Sequence, residues 1–397
     1  MPTPPVEVAH IFRQHGPAYR LAHPLPRQQQ RVMRAIEVCR SAVLGGHVEA
    51  CSHCQQTRIS YNSCRNRHCP KCQHAERARW LEARQAELLP VEYFHVVFTL
   101  PEELAAIALQ NKEVIYGLLF RTAAETMLTI ARDHKHLGAE IGFFAILHTW
   151  GQNLLHHPHL HCVVPGGGLS PGYERWIACR PGFFLPVKVL SRLFRRLFLT
   201  ALRQAFEAGS LQFFGGLAAL RQRPDFTRYL QPLEEKKWVV YAKPPFGGAQ
   251  QALRYLGRYT HRVAISNERL LALTEREVRF QWKDYRHQHK QKSRVMTVST
   301  DEFIRRFLLH TLPPGFQRIR HFGFLANCHR QEKLTLCRQF LAAPVTELLP
   351  LPAVGRQQLS PFPAESLAIC RQCGRGVMQR IQILPACRWL MRAQDTS

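Results

Sequence analysis

Three short runs rich in apolar, β-branched and aromatic residues predict three β-strands that share one sheet. They lie at 93–100, 141–148 and 158–164. After the first run, Pro101 opens a long helical pattern that continues to about Arg132, with proline at a position that suits the first turn of a helix. We expect two neighbouring strands and this covering helix to build the sheet that supports the third strand.

Other patterns predict the elements on either side of this sheet. Residues 1–30 are rich in Pro, His and Gln and are expected to form a loosely held arm with a short helix. Helices are predicted at 28–44, 75–89 and 187–207, and a capped helix from Thr300. Short strands are predicted at 238–242, 263–266, 270–273, 278–282 and 294–298. The basic face of helix 187–207 fits either solvation or contact with a phosphate backbone.

The third strand carries two histidines at alternate positions, His159 and His161, with Leu160 between them. Side chains alternate between the faces of a strand, so both imidazoles point one way and Leu160 points into the core. Two imidazoles about 6–7 Å apart on one strand face can close on one divalent cation. Val163, Val164 and the following glycine run then end the strand in a turn.

A second stretch, about a hundred residues downstream, carries two tyrosines at helical spacing. Tyr255 and Tyr259 lie four positions apart, so a helix places them on one face, one turn apart. Arg254, Arg258 and Arg262 repeat at the same spacing and form a basic edge beside them. Taken alone, this pattern also fits an amphipathic helix with two packing tyrosines.

Together, a histidine metal site and a paired-tyrosine helix suit attack on a phosphodiester. A tyrosine with a pKa near 10 is a weak nucleophile at neutral pH, and a phosphodiester is an unreactive anion. A cation polarises the phosphate, while the cation and the arginines favour the phenolate.

The cysteines predict a zinc site in the N-terminal part of the chain. Cys51, Cys54, Cys69 and Cys72 give a C-x2-C-x14-C-x2-C spacing, which is close to that of zinc ribbons. One zinc on these four residues is the favoured assignment. A second ion stays open, because other ligands lie within reach: Cys39, His47, His53, Cys64 and His68. Between the two pairs, Arg65 and Arg67 lie among an aromatic residue and amides, as expected of a loop that faces nucleic acid.

Composition indicates a polyanionic partner. Lys and Arg number 54 against 28 Asp and Glu, which gives a net charge of +26. Lys283 and Arg286 belong to a basic segment, 283–294, that fits either a loop binding a DNA strand or a solvated hairpin tip. The apolar runs are short and broken by basic residues, so no membrane span is expected, and C-x2-C pairs favour metal binding in a reducing cytoplasm over disulfides.

These motifs resemble a known family. His159-Leu-His161 followed by Tyr255-x3-Tyr259 resembles the HUH endonucleases of the two-tyrosine type. The flanking text, with His148-Thr-Trp-Gly-Gln152 and Tyr255-Leu-Gly-Arg-Tyr-Thr-His-Arg262, resembles rolling-circle transposases of the insertion-sequence-91 family from about residue 30 to 330.

The resemblance implies an α+β fold in which an HUH endonuclease core, an antiparallel sheet carrying the His-x-His strand and flanked by helices, follows a zinc-ribbon-like domain. The expected divisions are a zinc-binding domain at 1–90, the nuclease domain at 91–330, and a C-terminal helix and proline-rich tail at 331–397. In the tail, Cys370 and Cys373 form half a zinc knuckle, and Cys328 and Cys337 could complete it only if the fold brings them together.

The resemblance further implies single-strand cleavage of DNA through a 5′-phosphotyrosine, with Mg²⁺ or Mn²⁺ as the catalytic ion and structural Zn²⁺. Gln152 resembles the position of the third ligand to the catalytic ion, with His148 and His157 as rivals. We expect DNA as the partner and the bacterial cytoplasm as the location, at the nucleoid when DNA is bound. The oligomeric state stays open.

Three alternatives bear on the function. A plasmid replication initiator or relaxase would use the same chemistry, and a zinc-finger nucleic-acid-binding protein would use none. A carboxylate-triad transposase is disfavoured because none of the acidic residues lies in these motifs, and the lack of a Walker motif argues against a built-in helicase.

Overall fold

The computed structural model describes residues 6–85, 87–243, 251, 257, 263–283, 293–341 and 369–387. Within them the chain divides into two compact units. One unit holds 6–73 and 369–387, and the other holds the described residues from 74 to 341. Six of the predicted catalytic and DNA-binding residues lie outside the described residues: Arg254, Tyr255, Arg258, Tyr259, Arg262 and Arg286.

The first unit is built from helices, a small sheet and both cysteine-rich segments. Its elements are α1 (Val8–Ala22), α2 (Arg27–Glu37), β1 (Gly46–Cys51), β2 (Thr57–Tyr61) and β13 (Met378–Leu384), and α3 (Pro70–Gln85) begins in it. The expectation of a loosely held N-terminal arm is wrong for α1. This helix runs for 15 residues and buries Val8, Ile11 and Phe12 completely.

The C-terminal strand belongs to this first unit. β13 pairs with β1 in antiparallel register from Gly46–Leu384 to Cys51–Met378, which gives a three-stranded sheet in the order β13-β1-β2. The structure therefore differs from the expected division, since residues 369–387 join the N-terminal unit and the boundary lies at 73/74 instead of 90. No spacing in the sequence signals such a long-range strand pair.

The second unit is organised around a five-stranded antiparallel sheet. Its order is β12-β4-β5-β3-β8, so the histidine strand lies in the centre. The strands are β3 (Tyr93–Thr99), β4 (Gly142–Trp150), β5 (His156–Pro165), β8 (Val240–Lys243) and β12 (Ile319–Gly323). The three strands predicted from apolar runs are confirmed, and the mixture of helices with an antiparallel sheet confirms the α+β class.

The two faces of this sheet differ in chemistry. Phe98, Leu147 and Leu160 point into the main hydrophobic core, where they pack with residues of α5 (Lys112–Arg132) and α6 (Val187–Glu207). The opposite face carries the histidines. Because side chains alternate along each strand, Leu160 anchors β5 in the core while its neighbours on either side face away.

The remaining elements surround the sheet. They are α4 (Leu104–Gln110), β6 (Gly167–Leu169), β7 (Trp176–Ala178), α7 (Arg223–Glu235), β9 (Leu270–Leu273), β10 (Glu277–Lys283), β11 (Ser293–Ser299), α8 (Thr300–Leu309), α9 (Arg330–Phe340) and 3₁₀ turns at Ala42–Leu44, Gly215–Arg221 and Asn267–Arg269. The glycine run does not simply end β5 in a turn, because Gly167 and Gly168 start β6 and pair with β7. The meander is confirmed as β11-β10-β9, whereas 263–266 is not a strand.

Two helices show how sequence determines local structure. The predicted cap of α8 is confirmed, since the Ser299 hydroxyl accepts a hydrogen bond from the backbone N–H of Glu302 at 3.2 Å. In the described part of the chain, α5 is the one helix long and apolar enough to cross a membrane. Its Leu119, Phe120 and Met127 are buried in the main core, which accounts for its apolar composition.

Candidate active site

Three histidines converge on the face of the sheet opposite the main core. His148 lies on β4 directly across from His159 on β5, and His161 follows two positions along β5. One ring nitrogen from each of the three lies within 4.8 Å of the others. His148 and His161 are buried and His159 is half-buried, so the cluster is sheltered yet open on one side.

Hydrogen bonds engage the Nδ1 atoms of both β5 histidines. Nδ1 of His159 lies 2.7 Å from the carbonyl oxygen of His157, and because a carbonyl only accepts, Nδ1 carries the proton. The lone pair of His159 is therefore on Nε2. Nδ1 of His161 lies 2.8 Å from Nε2 of His95, so this contact engages Nδ1 of His161.

His95, on β3, supports the cluster without belonging to it. It is 2% exposed, and its ring stacks on that of His161 with centroids 5.0 Å apart. Burial, helped by the positive charge of Lys243, lowers the pKa of His95 to about 3. Nε2 of a neutral His95 can accept a hydrogen bond from the Nδ1–H group of His161.

The third member of the cluster is His148, where the resemblance favoured Gln152. Gln152 lies in the connection after β4, whereas His148 is inside the strand with a fixed register opposite His159. Gln152 contacts Arg269 through its backbone, since the Gln152 carbonyl accepts a hydrogen bond from Arg269 at 2.6 Å. His157, the other rival, contributes its carbonyl to His159.

The connection between β4 and β5 is held at three successive carbonyls. Arg269 donates to Gln152, Arg306 donates to the Asn153 carbonyl at 3.0 Å, and Nε2 of His310 lies 3.0 Å from the Leu154 carbonyl. Leu154 adopts a φ of 63°, a conformation that a leucine rarely takes. These contacts hold the loop that joins the two histidine strands.

Tyr255 and Tyr259, the predicted nucleophiles, lie outside the described residues, as do Arg254, Arg258 and Arg262. Gly257 between them is described, and it is helical and buried. A Cβ added at Gly257 would lie 2.7 Å from the methyl carbons of Leu81 on α3. Trp80, the residue that precedes Leu81 on α3, packs edge-on against Phe144 of β4, with ring centroids 5.5 Å apart.

Phe144 lies on the same sheet face as the histidines. It is four residues before His148 on β4, and side chains at even separations along a strand share a face. Gly257 is therefore connected to the histidine face through two side chains of α3.

The described basic residues of the predicted DNA contacts differ in exposure. Arg65 and Lys283 are exposed. Arg67 is half-buried, and burial lowers its pKa. Arg65 adopts a φ of 52° in the loop between β2 and α3. These two arginines lie in the first unit and Lys283 at the end of β10 in the second.

The four predicted zinc cysteines lie in two separate clusters, so their assignment to a single site does not hold in the structure. Cys69 and Cys72 join Cys39 and Cys64, whereas Cys51 and Cys54 join Cys370 and Cys373. The physical reason is that Cys69, directly before α3, and Cys72, in its first turn, lie close to Cys39, which follows α2. β13 brings the C-terminal pair to β1.

The first cluster has the geometry of a four-thiolate site. The Sγ atom of Cys72 lies 3.6 Å from that of Cys39 and 3.5 Å from that of Cys64, and Cys69 lies 3.6 Å from Cys39. A tetrahedral zinc with Zn–S bonds near 2.3 Å holds its sulfurs about 3.8 Å apart. Hydrogen bonds with the thiols of Cys64 and then Cys69 lower the pKa of Cys39 to about 7.

Several site residues were not assigned from sequence. His95 lies 64 positions before His159 and follows no motif, so only the strand register brings it to His161. Cys39 and Cys64 were named as residues within reach, but their partners depend on how α2 and α3 pack. The partner of the C-terminal C-x2-C pair is neither Cys328, which is exposed, nor Cys337, which is buried in another hydrophobic cluster.

Comparisons with known proteins agree with the two parts of the chain. A family described as Putative transposase matches residues 142–333, and one described as Transposase zinc-binding domain matches residues 11–100. No solved structure matches the chain.

Two relatives carry transposase names. Putative transposase y4qJ of Sinorhizobium fredii is 61% identical over 394 residues, which cover 98% of each chain. The Transposase for insertion sequence element IS801 of Pseudomonas savastanoi pv. phaseolicola is 28% identical over 309 residues, which cover 76% of this chain and 70% of that relative. The chain therefore belongs to the IS91-like transposases, and its N-terminal part is their zinc-binding domain.

Proposed function

We propose that this transposase is an HUH-type, two-tyrosine enzyme that cuts single-stranded DNA and transfers it by a rolling-circle route. The observation that carries the proposal is the histidine cluster, in which one ring nitrogen each of His148, His159 and His161 lies within 4.8 Å of the others. Three imidazoles that converge in this way can bind a single divalent cation.

The donor set fits a divalent transition ion. Three imidazole nitrogens within 4.8 Å of one another suit borderline ions, whereas Mg²⁺ prefers oxygen ligands. Of the two ions expected for such nucleases, Mn²⁺ therefore fits better than Mg²⁺. Such an ion, bound by His148, His159 and His161, would polarise the scissile phosphate.

The reaction proposed for the tyrosines is a transesterification. The hydroxyl of Tyr255 or Tyr259 loses its proton, its oxygen forms a bond to phosphorus, and the bond from phosphorus to the 3′-oxygen breaks. The departing 3′-oxygen takes up a proton, which leaves a 5′-phosphotyrosine and a free 3′-hydroxyl. One phosphoester replaces another, so no ATP is consumed, and the reverse step joins a new 3′-hydroxyl to the held strand.

Two tyrosines on one helical turn give a nucleophile for each of two strand transfers. The packing of Gly257 on Leu81, and of Trp80 on Phe144, supports a tyrosine helix close to the histidine face. Arg254, Arg258 and Arg262, at the same spacing, would lie beside the tyrosines and favour the phenolate.

DNA is the proposed substrate, and we expect the protein to bind it through its phosphate backbone. A net charge of +26 favours binding to a polyanion, and Arg65, Arg67, Lys283 and Arg286 are the proposed contacts outside the tyrosine helix. A replication initiator or relaxase would use the same chemistry. The transposase names of both relatives, together with the zinc-binding domain, favour transposition.

The test is a covalent-adduct assay on denaturing gels. Single-stranded DNA from the ends of the mobile element, labelled on the 5′-phosphate side of the cut, is incubated with the protein and Mn²⁺. We expect a labelled protein band that requires the ion, disappears in Tyr255→Phe/Tyr259→Phe, and is lost in His159→Ala. The single variants Tyr255→Phe and Tyr259→Phe show which tyrosine attacks first. Bound DNA without any adduct, across the divalent ions, contradicts the proposal.

A further inference from the structure

Two C-x2-C pairs from opposite parts of the sequence meet in the first unit. Cys51 and Cys373 are 322 residues apart in sequence, yet their Sγ atoms lie 3.6 Å from each other. Cys54 and Cys370 lie 3.8 Å apart in the same way. One sulfur from each of the four residues lies within 4.8 Å of the others.

The separations distinguish between the two kinds of bond that cysteines form. A disulfide requires about 2.05 Å between sulfurs. Four thiolates around a tetrahedral zinc, with Zn–S bonds near 2.3 Å, are about 3.8 Å apart. The observed 3.6 and 3.8 Å fit the metal and exclude the disulfide.

Backbone N–H groups surround the sulfurs as they do in zinc knuckles. The N–H groups of His53 and Cys54 point to the Cys51 sulfur at 3.4 and 3.5 Å, and that of Gly376 points to the Cys373 sulfur at 3.4 Å. Donors of this kind stabilise a thiolate and orient it towards a metal. All four protein ligands are sulfurs, which leaves no open position for a substrate and marks a structural site.

The backbone at Gly376 lies so close to the cluster that no side chain fits at this position. A Cβ at Gly376 would lie 2.4 Å from the Cys51 sulfur and 2.8 Å from the backbone nitrogen of His53. Ser52 and Val377 also exchange two hydrogen bonds, from Ser52 N–H to the Val377 carbonyl at 3.0 Å and from Val377 N–H to the Ser52 hydroxyl at 3.1 Å. The two C-x2-C segments thus pack closely against each other, next to the pairing of β1 with β13.

We propose that Cys51, Cys54, Cys370 and Cys373 bind a second structural zinc ion, which fastens the C-terminal segment 369–387 to the N-terminal zinc-binding domain. The matched zinc-binding family spans residues 11–100 and so contains only two of these ligands. The domain is therefore completed by a strand and a half-site from the far end of the chain. This inference is independent of the nuclease chemistry.

The first test counts zinc in the full-length protein by mass spectrometry. The His159→Ala/His161→Ala background removes any ion at the histidine cluster from the count. In that background we expect two ions per chain, and one after either Cys51→Ser/Cys54→Ser or Cys370→Ser/Cys373→Ser. Because both pairs serve one ion, combining them still leaves one. Adding Cys69→Ser/Cys72→Ser to either pair leaves none.

A matched control uses two exposed cysteines outside both clusters, Cys328 and Cys387. Cys328→Ser/Cys387→Ser retains both ions. Retention of both ions by Cys370→Ser/Cys373→Ser overturns the proposal.

The second test does not depend on removing a ligand. Protein loaded with cadmium-113 should show two nuclear magnetic resonance signals from four-sulfur sites. Cys373→His should move one of them to the position of a three-sulfur, one-nitrogen site and leave the other in place. A single four-sulfur signal in the wild-type chain overturns the proposal, as does movement of both signals.

Discussion

His95 and His161 share a hydrogen bond of 2.8 Å that connects two neighbouring strands of the central sheet. It joins Nε2 of His95 to Nδ1 of His161, so it restricts the orientation of the His161 imidazole within the histidine cluster. Burial keeps His95 neutral, since it lowers the pKa of that residue to about 3. His95 is thus a positioning residue that acts through His161.

We predict that His95→Ala weakens metal binding about 10–100-fold, because a ligand loses the partner that fixes its tautomer. His95→Gln should restore much of the affinity, since the amide oxygen can accept from Nδ1–H of His161. Calorimetric titration with Mn²⁺ measures the effect. His321→Ala is the control, because His321 lies on an outer strand of the same sheet and contacts Phe144. Equal affinity in His95→Ala and wild type would contradict this role.

His148 and Gln152 make opposite predictions as the third ligand. His148→Ala should lower Mn²⁺ affinity more than His95→Ala does, because it removes a donor nitrogen from a cluster of three. Gln152→Ala should leave the affinity unchanged, because the contact of Gln152 with Arg269 is made by its backbone. The same calorimetric titration compares them. A large loss in Gln152→Ala with little change in His148→Ala would reverse the assignment.

Ion preference should follow the donor atoms. Three imidazoles favour Mn²⁺ over Mg²⁺, and a carboxylate in place of one imidazole favours Mg²⁺. His148→Asp is therefore expected to raise the ratio of Mg²⁺ to Mn²⁺ affinity relative to wild type. His321→Asp, on the same sheet but outside the cluster, should leave the ratio unchanged. The measurement is competition between the two ions, followed by the paramagnetic signal of free Mn²⁺.

Gly257 and Leu81 should be coupled through their close approach. Gly257→Ala places a Cβ 2.7 Å from Leu81, and such overpacking costs about 1–3 kcal/mol. Leu81→Ala in the same chain makes room and should remove most of that extra cost, as a double-mutant cycle in thermal unfolding would report.

The control for Gly257 is a helical glycine with open surroundings. Gly117 in α5 has no atom within 4 Å of an added Cβ, so Gly117→Ala should stabilise by about 0.5–1 kcal/mol. Additive effects of Gly257→Ala and Leu81→Ala would show that the two residues do not pack together.

The sequence predicts the local features of the site well. The alternation at His159, Leu160 and His161 determines which side chains share a face, and that relationship depends only on strand geometry. The capped start of α8 at Ser299 is equally local, because the hydroxyl binds a backbone group three residues away.

Relationships between distant segments could not be predicted in the same way. His95 meets His161 only because β3 pairs with β5 in one particular register. The grouping of Cys51 with Cys373 depends on the pairing of β1 with β13. A C-x2-C spacing identifies two ligands of a site, but the tertiary fold determines the other two. The single-site prediction therefore combined two pairs that are neighbours in sequence but lie in different clusters.

The most direct test of the proposed function identifies the atom that holds the DNA. The covalent adduct is digested with protease and nuclease, and the modified peptide is sequenced by mass spectrometry. We expect a nucleotide 5′-phosphate on Tyr255 or Tyr259, with a free 3′-hydroxyl on the released strand. A phosphate on any other residue, attachment through the 3′ end, or cleavage that leaves no protein-bound nucleotide would contradict it.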